Sequence, residues 1–377
     1  MNKITVIGAG NGGTSIAAWL SLKGCKVKLY DKFESTLTEI RNAKGILLKG
    51  KGIRGFAPIE KATSNIEEAL EGSSLIMVVT PAFAHAEIAK LCAPYLVNGQ
   101  IIILNPGRTG GAIEFHKVAT EVNPSASFTI AETQSLIFAC RITGPAEATI
   151  YEIKRKMPVA AIPTSQTQKV ANILSSYFPQ IQAAQSVLET SLSNIGAIFH
   201  PTPTILNIAR IEAKHNFEYY LQGISPCVSK ILERLDSERI ALASRMGLNV
   251  PSAKQWLQEV YGIPIKDSET LYEAIQKQKA YKGILAPKTP DVRYITEDVP
   301  MSLVPLSELA KVFEIKTPVM DSIICLANII HDCDYRKNGR NLKKLGLEKM
   351  TPDQIINSFA HITSERKVHN DDKRQAS

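Results

Sequence analysis

Over the first half of the chain, short apolar runs take turns with stretches of helical period. Strand candidates stand at Ile4–Ile7, Lys26–Tyr30, Leu75–Thr80, Ile101–Leu104 and Phe128–Ala131. Several of them are unbroken apolar runs, as expected of parallel strands covered on both faces. Between them, Gly13–Lys23, Glu34–Asn42, Ala84–Ala93 and Ala112–Val122 place apolar residues with helical spacing. This alternation predicts βαβ units and a doubly wound, mainly parallel sheet. Further β-rich runs follow at Leu136–Ile142, Thr149–Ile153 and Val159–Ile162, and then a helix near Gln168–Ser176.

Past Ser186 the pattern changes. Helical periods dominate at Glu189–Phe199, Pro203–Glu212, Pro226–Arg245, Ala253–Val260, Ser268–Lys277, Leu306–Phe313 and Thr317–His331. The expected organisation is an α/β Rossmann domain over residues 1–185 and an all-α domain over 186–363. A linker falls near Phe178–Ser186, and the charged tail 364–377 is expected to be disordered. A chain of 377 residues suits two cores better than one.

Composition narrows the class. With 44% hydrophobic and 21% charged residues, the chain is that of a globular protein. No apolar run is long enough to cross a bilayer, and Met1-Asn2-Lys3 leads straight into Ile4 without a signal-peptide pattern. The six cysteines are scattered with no CxxC pair, as in a reduced, cytoplasmic protein. The net charge of +8 comes from dispersed Lys and Arg, not a basic stripe, so no nucleic-acid partner is expected. Anionic small molecules suit that field better.

The strongest motif is Gly8-Ala9-Gly10-Asn11-Gly12-Gly13, directly after a strand and before a helix. Gly8 allows the tight turn, Gly10 lets the backbone approach a pyrophosphate, and Gly13 lets helix and strand pack closely. The helix N-terminus offers free N–H groups to phosphates. Gly8, Gly10, Asn11, Gly12 and Gly13 are therefore the expected cofactor turn. Asp31 ends the second strand, where a carboxylate accepts from the ribose hydroxyls and repels a 2′-phosphate. The expected cofactor is NAD(H) rather than NADP(H), although Lys32 tempers the preference.

Two other segments imitate ligand sites. Gly45-Ile46-Leu47-Leu48-Lys49-Gly50-Lys51-Gly52 nearly matches a P-loop, but ends in Gly where Ser or Thr would bind magnesium. It is read as a loop. His331-Asp332-Cys333-Asp334 holds four consecutive ligand types, which point in different directions and cannot enclose one ion. No metal is expected.

Later segments add a resemblance. Asn105-Pro106-Gly107-Arg108-Thr109-Gly110-Gly111, Glu132-Thr133, Leu136–Arg141, Thr190–Asn194, Phe199–Thr204, Arg293-Tyr294, Glu297–Pro300 and Val304–Leu306 together resemble the octopine/nopaline (opine) dehydrogenase family over nearly the whole chain. The resemblance implies an NADH-dependent reductive condensation of an L-amino acid with a 2-oxo acid such as pyruvate, through an imine, and the reverse oxidation. It implies a homodimer. The family's catalytic His and Asp fall on His200 and Asp298, and its carboxylate-binding Arg falls on Arg293. A histidine suits proton handling near neutrality, an acid orients it, and a planar guanidinium grips a carboxylate. Asn194, six residues before His200, is expected to line the same cleft. Two other functions fit the Rossmann-plus-helical plan. A 2-oxo-acid or sugar-phosphate reductase commonly uses a lysine, and Thr190–Pro203 contains none. A non-catalytic NAD sensor would not need His200, Arg293 and Asp298 together.

Overall fold

The computed structural model describes residues 2–359; the expected disordered tail, with His361 and His369, lies outside them. The described residues carry twelve strands: β1 (Lys3–Ile7), β2 (Lys26–Tyr30), β3 (Gly45–Gly50), β4 (Gly55–Pro58), β5 (Lys61–Thr63), β6 (Leu75–Val78), β7 (Ile101–Leu104), β8 (Thr129–Thr133), β9 (Phe138–Gly144), β10 (Glu147–Ile153), β11 (Met157–Ile162) and β12 (Ile181–Ala183). Eight form one sheet in the order β12-β11-β8-β7-β6-β1-β2-β5. All its pairings are parallel except β11 with β8. The sequence order reverses direction at β1, between β2 and β6, which is the switch point where doubly wound sheets bind ligands. The chain is thus a mainly parallel nucleotide-binding sheet followed by helices, as its pattern predicts.

Three local expectations need correction. Gly45–Gly52 is not a loop, because Gly45–Gly50 forms β3, antiparallel to β4 and parallel to β10. Ile46 and Leu48 face the core while Leu47 and Lys49 face out, a short alternation that the flanking glycines obscure. With β9 it completes a second, four-stranded sheet in the order β4-β3-β10-β9, so Leu136–Ile142 and Thr149–Ile153 do not extend the main one. The expected linker at Phe178–Ser186 contains β12, a parallel edge strand on β11. Finally, Glu189–Phe199 and Pro203–Glu212 are not two helices but four short ones, Val187–Leu192, Gly196–Phe199, Pro201–Leu206 and Ile208–Glu212. Pro201 has no N–H to continue the preceding helix, and His200 sits at the break.

Two apolar clusters hold the fold. One lies wholly in the strand-rich half, from Ile4 to Ile181, and includes Trp19, Phe138 and Phe178. The other begins on the opposite side of the main sheet, with Ile76, Ile102 and Phe115, and runs without interruption through Leu192, Trp256 and Ile323 to Phe359. The helices are therefore packed into the core of the sheet, not tethered beside it. Arg340 fastens the same junction. Fully buried, it donates to Glu114 Oε2 at 2.8 Å and to the carbonyls of Ala82, Gly107 and Thr109 at 3.1, 3.2 and 2.9 Å. Every one of those acceptors belongs to the strand-rich half.

Candidate active site

The turn after β1 behaves as its glycines require. Gly8 has φ +104°, and a Cβ on Gly13 would stand 1.7 Å from the Gly8 carbonyl oxygen. Open space surrounds the Gly10 Cα. The helix Asn11–Leu22 starts there with no side-chain cap, leaving its first N–H groups for an anion. The Asn11 side chain faces elsewhere: its Oδ1 accepts from the Ile142 N–H at 2.8 Å and ties the turn to β9. That contact occupies the Asn11 side-chain oxygen, and its backbone N–H stands at the helix start. At the end of β2, Asp31 accepts from Ala9 N–H at 2.7 Å and Phe33 N–H at 2.9 Å. It buttresses the turn, and each carboxylate oxygen keeps a lone pair for a further donor.

Beyond the carboxyl ends of β6 and β7, Thr80 Oγ1 and Asn105 Nδ2 are buried without a hydrogen-bond partner. Orphaned polar atoms beside an uncapped helix and an open glycine are what a bound dinucleotide would satisfy. The residues present fit NAD(H).

Segments far apart in sequence converge on a second cluster. His200 Nδ1 is 2.8 Å from Asp298 Oδ2, although 98 positions separate them. Its Nε2 has no hydrogen-bond partner among the described residues, and the ring stacks on Tyr294 with centroids 4.4 Å apart. The His200 carbonyl accepts from Tyr219 Oη at 2.6 Å and Thr204 Oγ1 at 2.8 Å, fixing the break between helices. Asp298 is buried, and its second oxygen lies 3.0 Å from Arg108 Nη1. Glu297 lies 3.5 Å from Arg108 Nε, accepts from Arg293 Nε at 2.5 Å and accepts from the Ala82 N–H at 3.0 Å.

The electrostatics follow from burial and pairing. Burial alone would raise the Glu297 carboxyl, but the guanidinium groups of Arg108 and Arg293 outweigh it and pull the pKa down to about 2. Burial opposes the charge on Arg108, and Asp298 and Glu297 overcome it, holding the guanidinium above its ordinary value. Glu297 and Arg108 are thus charged at neutral pH.

Arg108 had no role in the sequence expectation. It holds φ +60° and is packed, partly buried, against Gly196, whose missing side chain makes room for it: a Cβ there would lie 2.4 Å from Nη1. Left-handed backbone at a bulky residue is uncommon and collects at functional sites. Its sequence signal was only an Arg inside a glycine-rich turn. Arg293 is placed as expected near the acids but is 61% exposed, and its two terminal nitrogens have no partner among the described residues. Asn194 needs correction. It is buried, and its amide nitrogen donates to Ser302 Oγ at 2.8 Å and Thr109 Oγ1 at 3.4 Å. It supports the cluster from behind and does not line the cleft.

Known proteins match along the same division. Residues 3–171 match the model of the NAD-dependent glycerol-3-phosphate dehydrogenase N-terminus. Residues 183–331 match that of the NAD/NADP octopine/nopaline dehydrogenase alpha-helical domain. An opine dehydrogenase of Arthrobacter sp. (strain 1C) is 43% identical over 346 residues, covering 92% of this chain and 95% of that protein. The octopine dehydrogenase of Pecten maximus is 24% identical, covering 86% and 89%. A solved octopine dehydrogenase with NADH and L-arginine superposes with a TM-score of 0.81 at 21% identity, over 98% of this chain and all of the other. The likeness spans both halves of the chain and the cluster between them, and the chain belongs to the opine dehydrogenase family, NAD-dependent oxidoreductases acting on CH–NH groups.

Proposed function

We propose that this enzyme joins the amine of an L-amino acid to the carbonyl of a 2-oxo acid, with pyruvate the first candidate, and reduces the resulting imine to a secondary-amine dicarboxylate. The observation that carries this reading is the His200–Asp298 contact at 2.8 Å with the far imidazole nitrogen unengaged. A carboxylate that accepts from Nδ1–H fixes the ring and stabilises the imidazolium, whose Nε2–H then faces the reactants. The amine adds to the carbonyl to give a carbinolamine; His200 then gives a proton to its hydroxyl, which leaves as water while the nitrogen lone pair forms the protonated imine. NADH, held by the glycine turn and Asp31, would supply the hydride for the imine carbon. Arg108 holds Asp298 from the other side, so His200 is oriented by a partner that is itself fixed. The terminal nitrogens of Arg293 grip a substrate carboxylate. Gly8, Gly10, Gly12, Gly13 and the Asn11 backbone cradle the pyrophosphate, and Asp31 favours NAD(H) over NADP(H).

The reading includes a division of the chain near residue 185, a cytoplasmic location supported by six unpaired cysteines, and a homodimer supported by the family resemblance. Among the described residues no helix is long and apolar enough to cross a membrane.

The test is NADH oxidation with every amino acid crossed with pyruvate, 2-oxoglutarate and glyoxylate. Oxidation is expected to require both partners. Comparable oxidation with an oxo acid alone would establish a simple reductase instead.

A further inference from the structure

Lys154 and Lys156 stand two residues apart in the turn between β10 and β11, yet their surroundings differ. Lys156 meets Glu259 at 2.7 Å in the open, an ordinary surface pair. The Lys154 amine has turned inward and donates to the neutral hydroxyl of Ser135. It has no carboxylate within ion-pair reach among the described residues. The charged group that acts on it most is Arg108, which repels it.

A cation drawn partly out of water against another cation is costly unless an anion completes the arrangement. The protein's own acids are already committed. Glu297 and Asp298 face Arg108, Arg293 and His200. Nothing anionic remains for Lys154. Its neighbours place it beside the reacting groups: Arg108 touches the acid that holds His200, and Ser135 precedes Leu136, whose side chain would meet a Cβ on Gly12 at 3.0 Å. The condensation joins two molecules that each carry a carboxylate, and Arg293 supplies only one fork on the helical side.

We propose that Lys154 is a further substrate-binding residue, which receives the second carboxylate of the amino acid–oxo acid adduct from the strand-rich side of the cleft. The proposal rests on the opine-forming reading above. Burial first, and Arg108 second, lower the Lys154 ammonium to about 7, while Cys140 acts weakly in the opposite sense. The free enzyme therefore loses this proton just above neutrality, and an arriving carboxylate holds it in place. Binding of the anionic substrate then weakens as pH rises past about 7.

The test compares Lys154→Met and Lys154→Arg in the full chain with the substrate pair found by the NADH screen. A charged hydrogen bond of the usual strength predicts that Lys154→Met raises one substrate's KM roughly 10- to 100-fold. Its kcat should stay within about threefold, and NADH affinity, read by fluorescence titration, should not move. Lys154→Arg should restore much of the KM and flatten its rise above pH 7. An amide analogue lacking the recognised carboxylate should bind equally to wild type and Lys154→Met, which identifies the partner. Lys154→Gln provides the same comparison if the methionine variant folds poorly. An unchanged KM in the neutral variants overturns the proposal. So does weaker NADH binding with unchanged substrate KM, because the anion would then be the cofactor's pyrophosphate. Failure of wild type to form any opine would instead remove the reading beneath it.

Discussion

Two arginines at the junction of the halves, Arg340 buried and Arg108 partly so, illustrate how the same side chain serves opposite ends. Arg340 spends its guanidinium on Glu114, three carbonyls and a contact with His85, and nothing about it is left unmet. Arg108, with its own pair of acids, leaves Nε without a hydrogen bond and shares Asp298 with a histidine whose outer nitrogen is open. A satisfied network rigidifies, whereas a network with one valence open is poised for a ligand. Arg340 accordingly reads as a latch and Arg108 as part of a working site.

The comparison breaks most visibly at the open cluster. His200→Asn should lower kcat by roughly 100- to 10,000-fold, the range of general acid–base catalysis. Asp298→Asn should be nearly as severe. The double variant should be little worse than the worse single one, because the pair acts as a unit. NADH titration should show unchanged affinity in all three. Additive losses in steady-state rates would mean that the proton comes from elsewhere.

At the latch the loss should appear in stability instead. Arg340→Leu leaves Glu114 buried without its partner and should lower unfolding free energy by about 3–5 kcal/mol, measured by denaturant titration. Activity of the fraction still folded should fall far less than in His200→Asn. A variant of normal stability would contradict the assignment of Arg340 as a latch.

The smallest effect concerns His85, which lies against Arg340. Burial, and then the Arg340 charge, depress its pKa to about 3. The unfolded chain binds a proton there near pH 6.5 and the folded one does not. Stability is therefore complete above about 6.5 and declines as pH falls, by about 1.4 kcal/mol per pH unit for a single linked proton. Glu297 adds its own loss only below about pH 4.5, so between 6.5 and 4.5 the histidines act without it. His85→Phe should reduce the slope of unfolding free energy against pH in that window. An unaltered slope would show that His85 does not titrate as its burial requires.

What was legible in the sequence depended on how far apart the interacting parts lie. The glycine turn and Asp31 depend on neighbours within one βαβ unit, and their spacing alone suggested the cofactor. His200, Arg293 and Asp298 were recognisable only as a set resembling a family, since nothing local brings residues 98 positions apart into contact. Arg108 went unassigned because its surroundings are created by Gly196 and two distant acids. Lys154 lies in the run Lys154-Arg155-Lys156, which any single-sequence reading takes for a solvated turn. The second sheet was missed because β3 and β10 pair across about a hundred residues, and Asn194 was misplaced because its partners, Thr109 and Ser302, come from two other segments.

The second apolar cluster also bears on how the chain is made. Synthesis proceeds from the N-terminus, and β12 completes the main sheet by Ala183. The cluster from Ile4 to Ile181 can close at that moment, but the one beginning at Ile76 and Phe115 lacks the residues from Val187 to Phe359 that complete it. A ribosome-bound chain of that length is thus sealed on one side and apolar on the other. Hydrophobic surface of this kind attracts chaperones and other nascent chains. A truncation after Ala183 would preserve the cofactor turn while making that transient condition permanent.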